Sequence, residues 1–485
     1  MNIQDLKPES VFAYFAEICK IPRASKKEEK IIAYLLDFAK NQGLESKKDN
    51  AGNILITKPA AVGMEAKKTV VLQSHMDMVC EKNSDIEFNF DTDAIQAYVD
   101  GEWVKAKGTT LGADCGIGMA AQLAILADKK LKHGAIECLF TIDEETGLTG
   151  AAELQPNFFS GSILLNLDSE DEGEIFIGCA GGIDTVALFH FNKQPVPTDY
   201  VALKIKVRGL KGGHSGDDIS KGLGNANKIL NRFLWRARTK YDLCLSSFDG
   251  GNLRNAIARE ATAVIAILKE DRAELVKDLE SYNIIIRNEY KATEPLLKLS
   301  IADCELPEYV IDETCEFDLF NALYACPHGV LAMSQEIEGL VETSTNLASV
   351  KFIQDGQILV STSQRSSTDS AKRDAANMVS SVFSLANANV KSGDGYPGWA
   401  PNKGSEILKL AEKVYSDTFN IAPAVKAIHA GLECGLFLEK HPTLDMISFG
   451  PTLRGVHSPD ERLNIASTQK FWLFLCNLLE NIPNK

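Results

Sequence analysis

Short apolar runs alternate with amphipathic segments over roughly the first 180 residues of the chain. The runs are too short for helices and predict buried strands at Ile54–Ile56, Val70–Leu72, Cys138–Ile142 and Ile163–Leu167. Segments with apolar residues at helical spacing predict helices at 31–39 and 117–127. The first of these is expected to begin at a capping box, Ser25 to Glu28, and to end at Gly43. This alternation predicts an α/β layer sandwich with a largely parallel sheet.

The pattern changes after about Gly182. Half-exposed strands are predicted at Val201–Val207 and Ala261–Leu268, and a helix is predicted between them at Asn225–Leu234. A strand and a helix repeat this order loosely at Gln357–Thr362 and Ala371–Leu385. The tail returns to the first pattern at Glu406–Phe419, Met446–Phe449 and Thr468–Asn481. We therefore expect an α+β domain over 187–393, inserted into an α/β domain formed by 1–186 and 394–485, with the Gly/Pro cluster GDGYPGW as a linker.

Composition supports two domains and narrows the class of protein. The chain has 485 residues, more than the roughly 250–300 at which a single core stops growing. Its net charge of −15 argues against a nucleic-acid partner. The 11 cysteines include no CxxC pair, which favours a reduced, cytoplasmic protein. We expect no secretory signal and no membrane association, because the longest apolar stretches are far below about 20 residues.

Acidic residues and histidines recur at the ends of predicted strands, with one more at the start of a predicted helix. They are His75, Asp114, Glu144, Glu145, Asp168 and His457. Ligands of open α/β sheets bind at the carboxyl ends of the strands. Any one of these residues could simply begin a loop, but the set as a whole is a mixed nitrogen and oxygen ligand set that suits Zn²⁺, Mn²⁺ or Co²⁺. The pattern therefore predicts a metal site.

Two short features refine this prediction. Glu144 and Glu145 are consecutive, so one can bind metal while the other stays free as a general base. The alternative is that they are an acidic pair at a helix N-terminus. Asp77 follows His75 by two residues and is placed to accept the second imidazole N–H. A carboxylate that bridges two ions about 3.5–4 Å apart would make the site hydrolytic.

Eight segments resemble, in order, the dinuclear-zinc aminoacylase and dipeptidase family of the MH clan. They are SHMDMV (74–79), GTTLGADCGIGMA (108–120), TIDEETGLTGA (141–151), NLDSEDEGE (166–174), GLKGGHSG (209–216), GGNLRNAIAREA (250–261), HAGLECGLF (429–437) and GPTLRGVHSPDER (450–462). The resemblance implies a zinc-exopeptidase-like α/β/α catalytic domain with an inserted α+β lid domain. It also implies two Zn²⁺ per chain, for which Mn²⁺ or Co²⁺ can substitute.

The resemblance carries roles onto single residues. One zinc is expected on His75, Asp114 and Asp168, and the other on Asp114, Glu145 and His457, with Asp114 bridging. The catalytic set is Glu144 as general base, Asp77 to orient His75, and His214 to stabilise the oxyanion. The substrate contacts are Asn255, Arg365, His429, Gly431 and Glu433. One departure is Cys115, where relatives carry Asp or Asn; the thiol is either a small buried residue or an adventitious ligand.

The implied reaction is hydrolysis of small dipeptides, aminoacyl-histidine dipeptides among them. An N-acyl-amino-acid deacylase with the same metals is the main alternative, and a non-catalytic binding module is another. The segment from Gly116 to Ala121 also fits the dinucleotide pattern GxGxxA, but no hydrophobic strand precedes it. An inserted domain of this length resembles a doubled lid, which favours a dipeptidase in which His214 acts within its own chain. A homodimer remains compatible with the sequence.

Overall fold

The computed structural model describes residues 2–354 and 356–485. Backbone contacts divide the chain into two compact units. The first consists of Met1–Gly178, Trp399–Ala427 and Leu432–Lys485, and the second of Cys179–Gly398 and Ile428–Gly431. The helix and strand content and the order of elements confirm the predicted α/β fold class.

The first unit is built on an eight-stranded sheet in the order β1-β2-β6-β3-β7-β21-β8-β20. Its strands are β1 (Glu45–Lys48), β2 (Ile54–Lys58), β3 (Val70–His75), β6 (Ile136–Thr141), β7 (Ile163–Asn166), β8 (Glu174–Cys179), β20 (Ala424–Ile428) and β21 (Asp445–Ser448). A smaller sheet contains β4 (Ala97–Asp100), β5 (Trp103–Ala106), β22 (Leu453–Arg454) and β23 (Arg462–Asn464).

The centre of the large sheet is parallel. Strands β6, β3, β7 and β21 run parallel to one another, whereas β2 and β8 join them antiparallel. At one edge of the sheet, β1 and β2 pair antiparallel because their connection is short, whereas a parallel pair would need a crossover of a dozen or more residues. Every residue of β3, β6 and β7 is buried, as expected for strands covered on both faces.

Helices cover this sheet. They are α1 (Glu9–Ile18), α2 (Glu29–Gln42), α3 (Ala113–Ala127), α4 (Glu144–Gly147), α5 (Thr149–Glu153), α10 (Glu406–Phe419), α11 (Cys434–Lys440) and α12 (Ile465–Asn481). Helix α3 packs between α1 and β3 and is buried almost all round, which explains its Ala, Gly and Leu content. The peptide bond between Asp114 and Cys115 is cis.

The start of α2 differs from the sequence prediction. Gly43 ends the helix in the left-handed conformation, as predicted (φ 66°). The capping box at Ser25 is wrong, because the Ser25 hydroxyl donates to Asp77, 2.7 Å away, and not to the helix. The Ser25 hydroxyl, which the local pattern assigned to the start of the helix, is therefore bound by the carboxylate of Asp77.

The second unit is an antiparallel sheet with helices packed against it. The main path of the sheet is β14-β11-β13-β12-β17-β18-β9-β19, and β16 also pairs with β17. Its strands are β9 (Gly181–His190), β11 (Tyr200–Arg208), β12 (Leu243–Gly250), β13 (Ala261–Leu268), β14 (Lys298–Cys304), β16 (Gly329–Met333), β17 (Val341–Ile353), β18 (Gln357–Ser366) and β19 (Asn389–Ser392). Two further strands, β10 (Lys193–Gln194) and β15 (Val310–Ile311), pair in a separate two-stranded sheet. The helices are α6 (Ala226–Arg238), α7 (Arg272–Glu289), α8 (Glu313–Ala325) and α9 (Asp369–Leu385).

The core of this unit lies between the sheet and its helices. Phe233 on α6, Leu319 on α8 and Phe383 on α9 belong to one buried cluster with side chains from the sheet. Within the described residues, 2–354 and 356–485, no helix is long and apolar enough to cross a membrane.

Candidate metal centre

The candidate ligands meet at the carboxyl ends of the parallel strands, as the sequence predicted. His75 is the last residue of β3, and Asp168 follows β7 by two residues. Glu144 and Glu145 open the short helix α4 just after β6, so the pair also occupies a helix N-terminus. The other two candidates, Asp114 and His457, lie in the first turn of α3 and between β22 and β23.

Asp114 lies between the two histidines. Its Oδ1 is 3.2 Å from His75 Nε2, and its Oδ2 is 3.3 Å from His457 Nε2. Asp168 Oδ1 lies 3.3 Å from His75 Nε2, and Glu145 Oε2 lies 3.0 Å from His457 Nε2. The arrangement has two halves that share Asp114, one with His75 and Asp168 and one with His457 and Glu145.

The chemistry of this donor set fits divalent cations. Among the described residues, the buried atom Glu145 Oε1 has no hydrogen-bond partner, and buried Asp168 Oδ1 has only its 3.3 Å approach to His75 Nε2. Asp114, Glu145 and His457 bring their ligand atoms within 4.8 Å of one another, as do His75, Glu144 and Glu145. Burying a charged carboxylate costs free energy unless the carboxylate is paired with a cation or coordinates a metal ion. Cations placed among these oxygens would supply the missing partners.

Burial and neighbouring charges shift the pKa values of the clustered groups. Burial, followed by the charges of Asp168 and Glu145, raises the pKa of Glu144 well above its ordinary range. Burial and the charge of Asp114 raise the pKa of Asp168 to about 6. Hydrogen bonds to Asp114 and Glu145 raise the pKa of His457 to about 11. The cluster thus holds more negative charge than its own histidines balance, and divalent ions would reverse these shifts.

Asp77 does more than the sequence suggested. Its Oδ1 lies 3.3 Å from His75 Nδ1, the ring nitrogen that faces away from Asp114. Its two oxygens also accept the backbone N–H groups of Glu144 and Glu145, at 3.1 and 3.2 Å. Burial would raise the pKa of Asp77, but contacts from His75, Ser25 and Glu144 hold it below the ordinary value. One buried carboxylate therefore connects the end of β3 to the turn that carries Glu144 and Glu145.

Cys115 behaves as a small buried residue. Its Sγ donates to the Leu167 carbonyl oxygen at 3.3 Å. Burial raises the pKa of the thiol well above its ordinary value, which disfavours the thiolate that metals bind. The Sγ nevertheless lies within 4.8 Å of ligand atoms of His75 and Asp168, so it belongs to the immediate surroundings of that half of the centre.

The second unit brings together most of the predicted substrate contacts. Arg365 Nη2 lies 3.4 Å from His214 Nε2, and Arg365 Nη1 donates to Tyr396 Oη at 3.2 Å. Asn255, Arg365 and Tyr396 line a cavity of about 490 Å³. The sequence assigned Tyr396 only to a Gly/Pro linker, and nothing in its local pattern marks it as part of a cavity.

Two further predicted contacts lie in the same unit. His429 Nε2 is 2.7 Å from the Ser344 hydroxyl, and burial followed by the charge of Arg365 lowers the His429 pKa to about 4. A Cβ on Gly431 would lie 3.0 Å from Tyr396 Oη, so glycine permits a close approach there. His429 and Gly431 therefore lie against the residues that surround Arg365.

Glu433 belongs to the first unit and has no exposed surface. Its Oε2 accepts hydrogen bonds from Gln73 at 2.6 Å and Thr141 at 2.8 Å. Burial raises its pKa to about 8. The structure thus places this predicted substrate contact beneath the carboxyl ends of β3 and β6, where it contacts protein groups.

The α/β architecture and the cluster of histidines and carboxylates are the features expected of a metal-dependent hydrolase. The family profile described as peptidase family M20/M25/M40 matches residues 71–481. The chain therefore belongs to this family of peptidases, whose members bind divalent metal ions.

Two relatives of similar sequence align with the whole chain. The chain is 45% identical over 485 residues to the cytosol non-specific dipeptidase of Escherichia coli (strain K12), covering 100% of both proteins. It is 44% identical to the crystal structure of aminoacylhistidine dipeptidase from Vibrio alginolyticus, with a TM-score of 0.90 and coverage of 100% of this chain and 99% of that one. Aminopeptidase PepT from Bacillus cereus is 14% identical with a TM-score of 0.58, covers 98% and 99% of the two chains, and shows the shared fold alone.

Proposed function

We propose that the protein is a metallo-dipeptidase that hydrolyses aminoacyl-histidine and related dipeptides in the cytoplasm. The observation that carries this proposal is Asp114, whose two oxygens face the two histidines of a divided ligand set. The names of the two full-length relatives support the substrate class. We further propose that residues 187–393 form the lid domain and that 1–186 with 394–485 form the catalytic domain.

The proposed cofactor is a pair of Zn²⁺ ions, for which Mn²⁺ or Co²⁺ can substitute. One ion would be held by His75, Asp114 and Asp168, and the other by Asp114, Glu145 and His457. Nitrogen and oxygen donors of this kind suit borderline divalent metals. When bound, such a pair supplies Lewis acidity, which makes a nearby water easier to deprotonate and a carbonyl easier to attack.

The residues around the pair would then do the proton chemistry. A carboxylate oxygen of Glu144 accepts the proton of the attacking water and later passes it to the leaving amine nitrogen. Asp77 fixes the backbone on which Glu144 sits. From the second unit, His214 would stabilise the oxyanion, and Asn255, Arg365, His429 and Gly431 would contact substrate.

A substrate panel measured with and without chelator tests this function. We expect cleavage of Ala-His, β-Ala-His and Leu-Gly that is lost on chelation and restored by Zn²⁺ or Mn²⁺. We expect no cleavage of a tripeptide or of N-acetyl amino acids. Turnover of the N-acetyl compounds alone would keep the metal centre and assign the protein as a deacylase. A protein that binds two metals and cleaves nothing would be a binding module.

A second prediction concerns Arg365. Its guanidinium lines the cavity of the second unit, and hydrogen bonds to charged groups contribute about 1.5–3 kcal/mol. We expect Arg365→Met to raise KM for dipeptides by about 10- to 100-fold, because the substrate carboxylate loses its cationic partner. Steady-state kinetics measure the change. The control is Arg272→Met on α7, whose guanidinium pairs with exposed Asp303. Equal KM values for both variants would remove Arg365 from the substrate contacts.

A further inference from the structure

The turn that carries Asp114 is bound by a single carboxylate. Four consecutive backbone N–H groups point at Glu461: those of Leu111 and Gly112 donate to Oε2 at 2.7 and 2.9 Å, and those of Ala113 and Asp114 donate to Oε1 at 2.7 and 3.3 Å. Glu461 is 2% exposed. Four donors on two oxygens require the ionised carboxylate, since an acid O–H placed among them would have no acceptor.

Glu461 lies close in sequence to a candidate metal ligand. Glu461 follows His457 by four residues, in the connection between β22 and β23. The same connection therefore supplies the candidate ligand His457 and the carboxylate that holds the backbone of Asp114. Its negative charge also lies at the N-terminus of α3, where the first N–H groups of the helix lack partners within the helix.

A buried cation holds the same turn from its carbonyl side. The Arg23 guanidinium donates through Nη2 to the Gly112 carbonyl oxygen, and through Nη1 to the carbonyl oxygens of Met76 and Asp77. Arg23 is 2% exposed. It therefore connects the two residues that directly follow His75 at the end of β3, Met76 and Asp77, to the turn before Asp114.

Glycine is required where Arg23 approaches this turn. Gly112 has a φ of 68°, in the left-handed region, and a Cβ there would lie 2.5 Å from Arg23 Nη2. A Cβ on Gly116 would lie 2.7 Å from the same nitrogen. The guanidinium thus occupies the space that side chains at these two positions would need.

We propose that Glu461 and Arg23 are positioning residues that set the separation of His75, Asp114 and His457 and thereby hold the metal pair. Neither residue is a ligand. Glu461 fixes Asp114 relative to His457, and Arg23 fixes Asp114 relative to His75. The negative charge of Glu461 binds the N–H groups of the turn at 111–114, and the positive charge of Arg23 binds a carbonyl oxygen of the same turn. These hydrogen bonds restrict the conformation of the turn. This inference rests on the proposed metal centre.

Glu461→Gln tests the proposal. Glutamine keeps the shape, removes the charge, and turns its NH2 group toward two of the four N–H donors. We expect metal affinity to fall by about 10- to 100-fold, as is typical when a partner of the ligands is lost. Competition with a chromophoric chelator measures the affinity of the apo protein. We also expect the visible absorption of the Co²⁺-loaded protein to change, because the angle between the two halves of the centre changes.

Glu137→Gln is the matched control. Glu137, at the amino end of β6, is also a buried carboxylate that accepts backbone N–H groups, from Ser160 and Gly161 at 2.8 Å. We expect both variants to lower the melting temperature of the apo protein, but only Glu461→Gln to lower metal affinity and alter the Co²⁺ spectrum. If Glu461→Gln does not fold, Arg23→Lys is measured in the same way.

The outcomes separate this proposal from the proposed function. A folded Glu461→Gln or Arg23→Lys variant with wild-type affinity and a wild-type Co²⁺ spectrum would overturn the positioning role. Equal losses of affinity in Glu461→Gln and Glu137→Gln would also overturn it, because a general loss of stability would then explain both. A wild-type protein that binds no pair of divalent ions would instead remove the proposed metal centre itself.

Discussion

We expect Glu144→Gln to lower kcat by about 10²- to 10⁴-fold while the proposed pair of metal ions remains bound. Glutamine has the same shape as glutamate but cannot accept a proton from water near neutral pH. The ligand atoms proposed for the two ions belong to other residues, so their affinity is expected to change little. Steady-state kinetics and atomic absorption on the same sample measure the two quantities.

Glu144 could act either as the general base or as a metal ligand, and this variant distinguishes the two roles. Its carboxylate lies close enough to His75 and Glu145 to form a ligand group with them. A ligand role predicts loss of metal in Glu144→Gln, whereas a base role predicts loss of rate alone. Glu153→Gln, at the exposed end of α5, is the control and should match the wild type in both measurements. Normal turnover by Glu144→Gln would exclude the base role.

We expect Asp114→Asn to weaken the binding of both proposed ions together. The two oxygens of Asp114 face different histidines, so loss of its charge affects both halves of the centre. His457→Gln is expected to release one ion and retain the other, because His75 and Asp168 remain in place. The affinity lost in Asp114→Asn should exceed the roughly 10- to 100-fold typical of residues outside the ligand shell.

Equilibrium dialysis at several metal concentrations measures the stoichiometry of each variant. His441→Gln, which changes a histidine that packs on Phe159, is the control and should bind two ions. The bridging role predicts two, one and no tightly bound ions for the wild type, His457→Gln and Asp114→Asn, in that order. One ion retained tightly by Asp114→Asn would show that the two halves are independent.

Local patterns predicted the elements well. The apolar runs at β3, β6 and β7 are buried strands, and α10 begins and ends at the predicted residues, Glu406 and Phe419. Polar residues at strand ends correctly predicted that histidines and carboxylates come together, because the ends of parallel strands meet at one edge of a sheet. These features depend on neighbouring residues, which a single sequence displays directly.

Features that depend on distant partners were missed or assigned wrongly. Ser25 was expected to cap a helix, but its hydroxyl donates to Asp77, 52 residues away. Tyr396 was counted as part of a linker, although it accepts a hydrogen bond from Arg365 and lines the same cavity. The four N–H groups held by Glu461 come from residues about 350 positions earlier. No periodicity or motif spacing contains such pairings.

That long separation has a consequence for synthesis of the chain on the ribosome. Asp114 and Glu145 emerge early, but their partner His457 lies 343 residues beyond Asp114. Domains form as the polypeptide leaves the ribosome, N-terminal parts first. The half of the proposed centre that includes His457, and the carboxylate of Glu461 that binds the turn of Asp114, can join only after residue 461 has left the ribosome. A nascent or truncated chain that ends before His457 therefore lacks one half of the proposed centre, and we expect it to be inactive as a hydrolase.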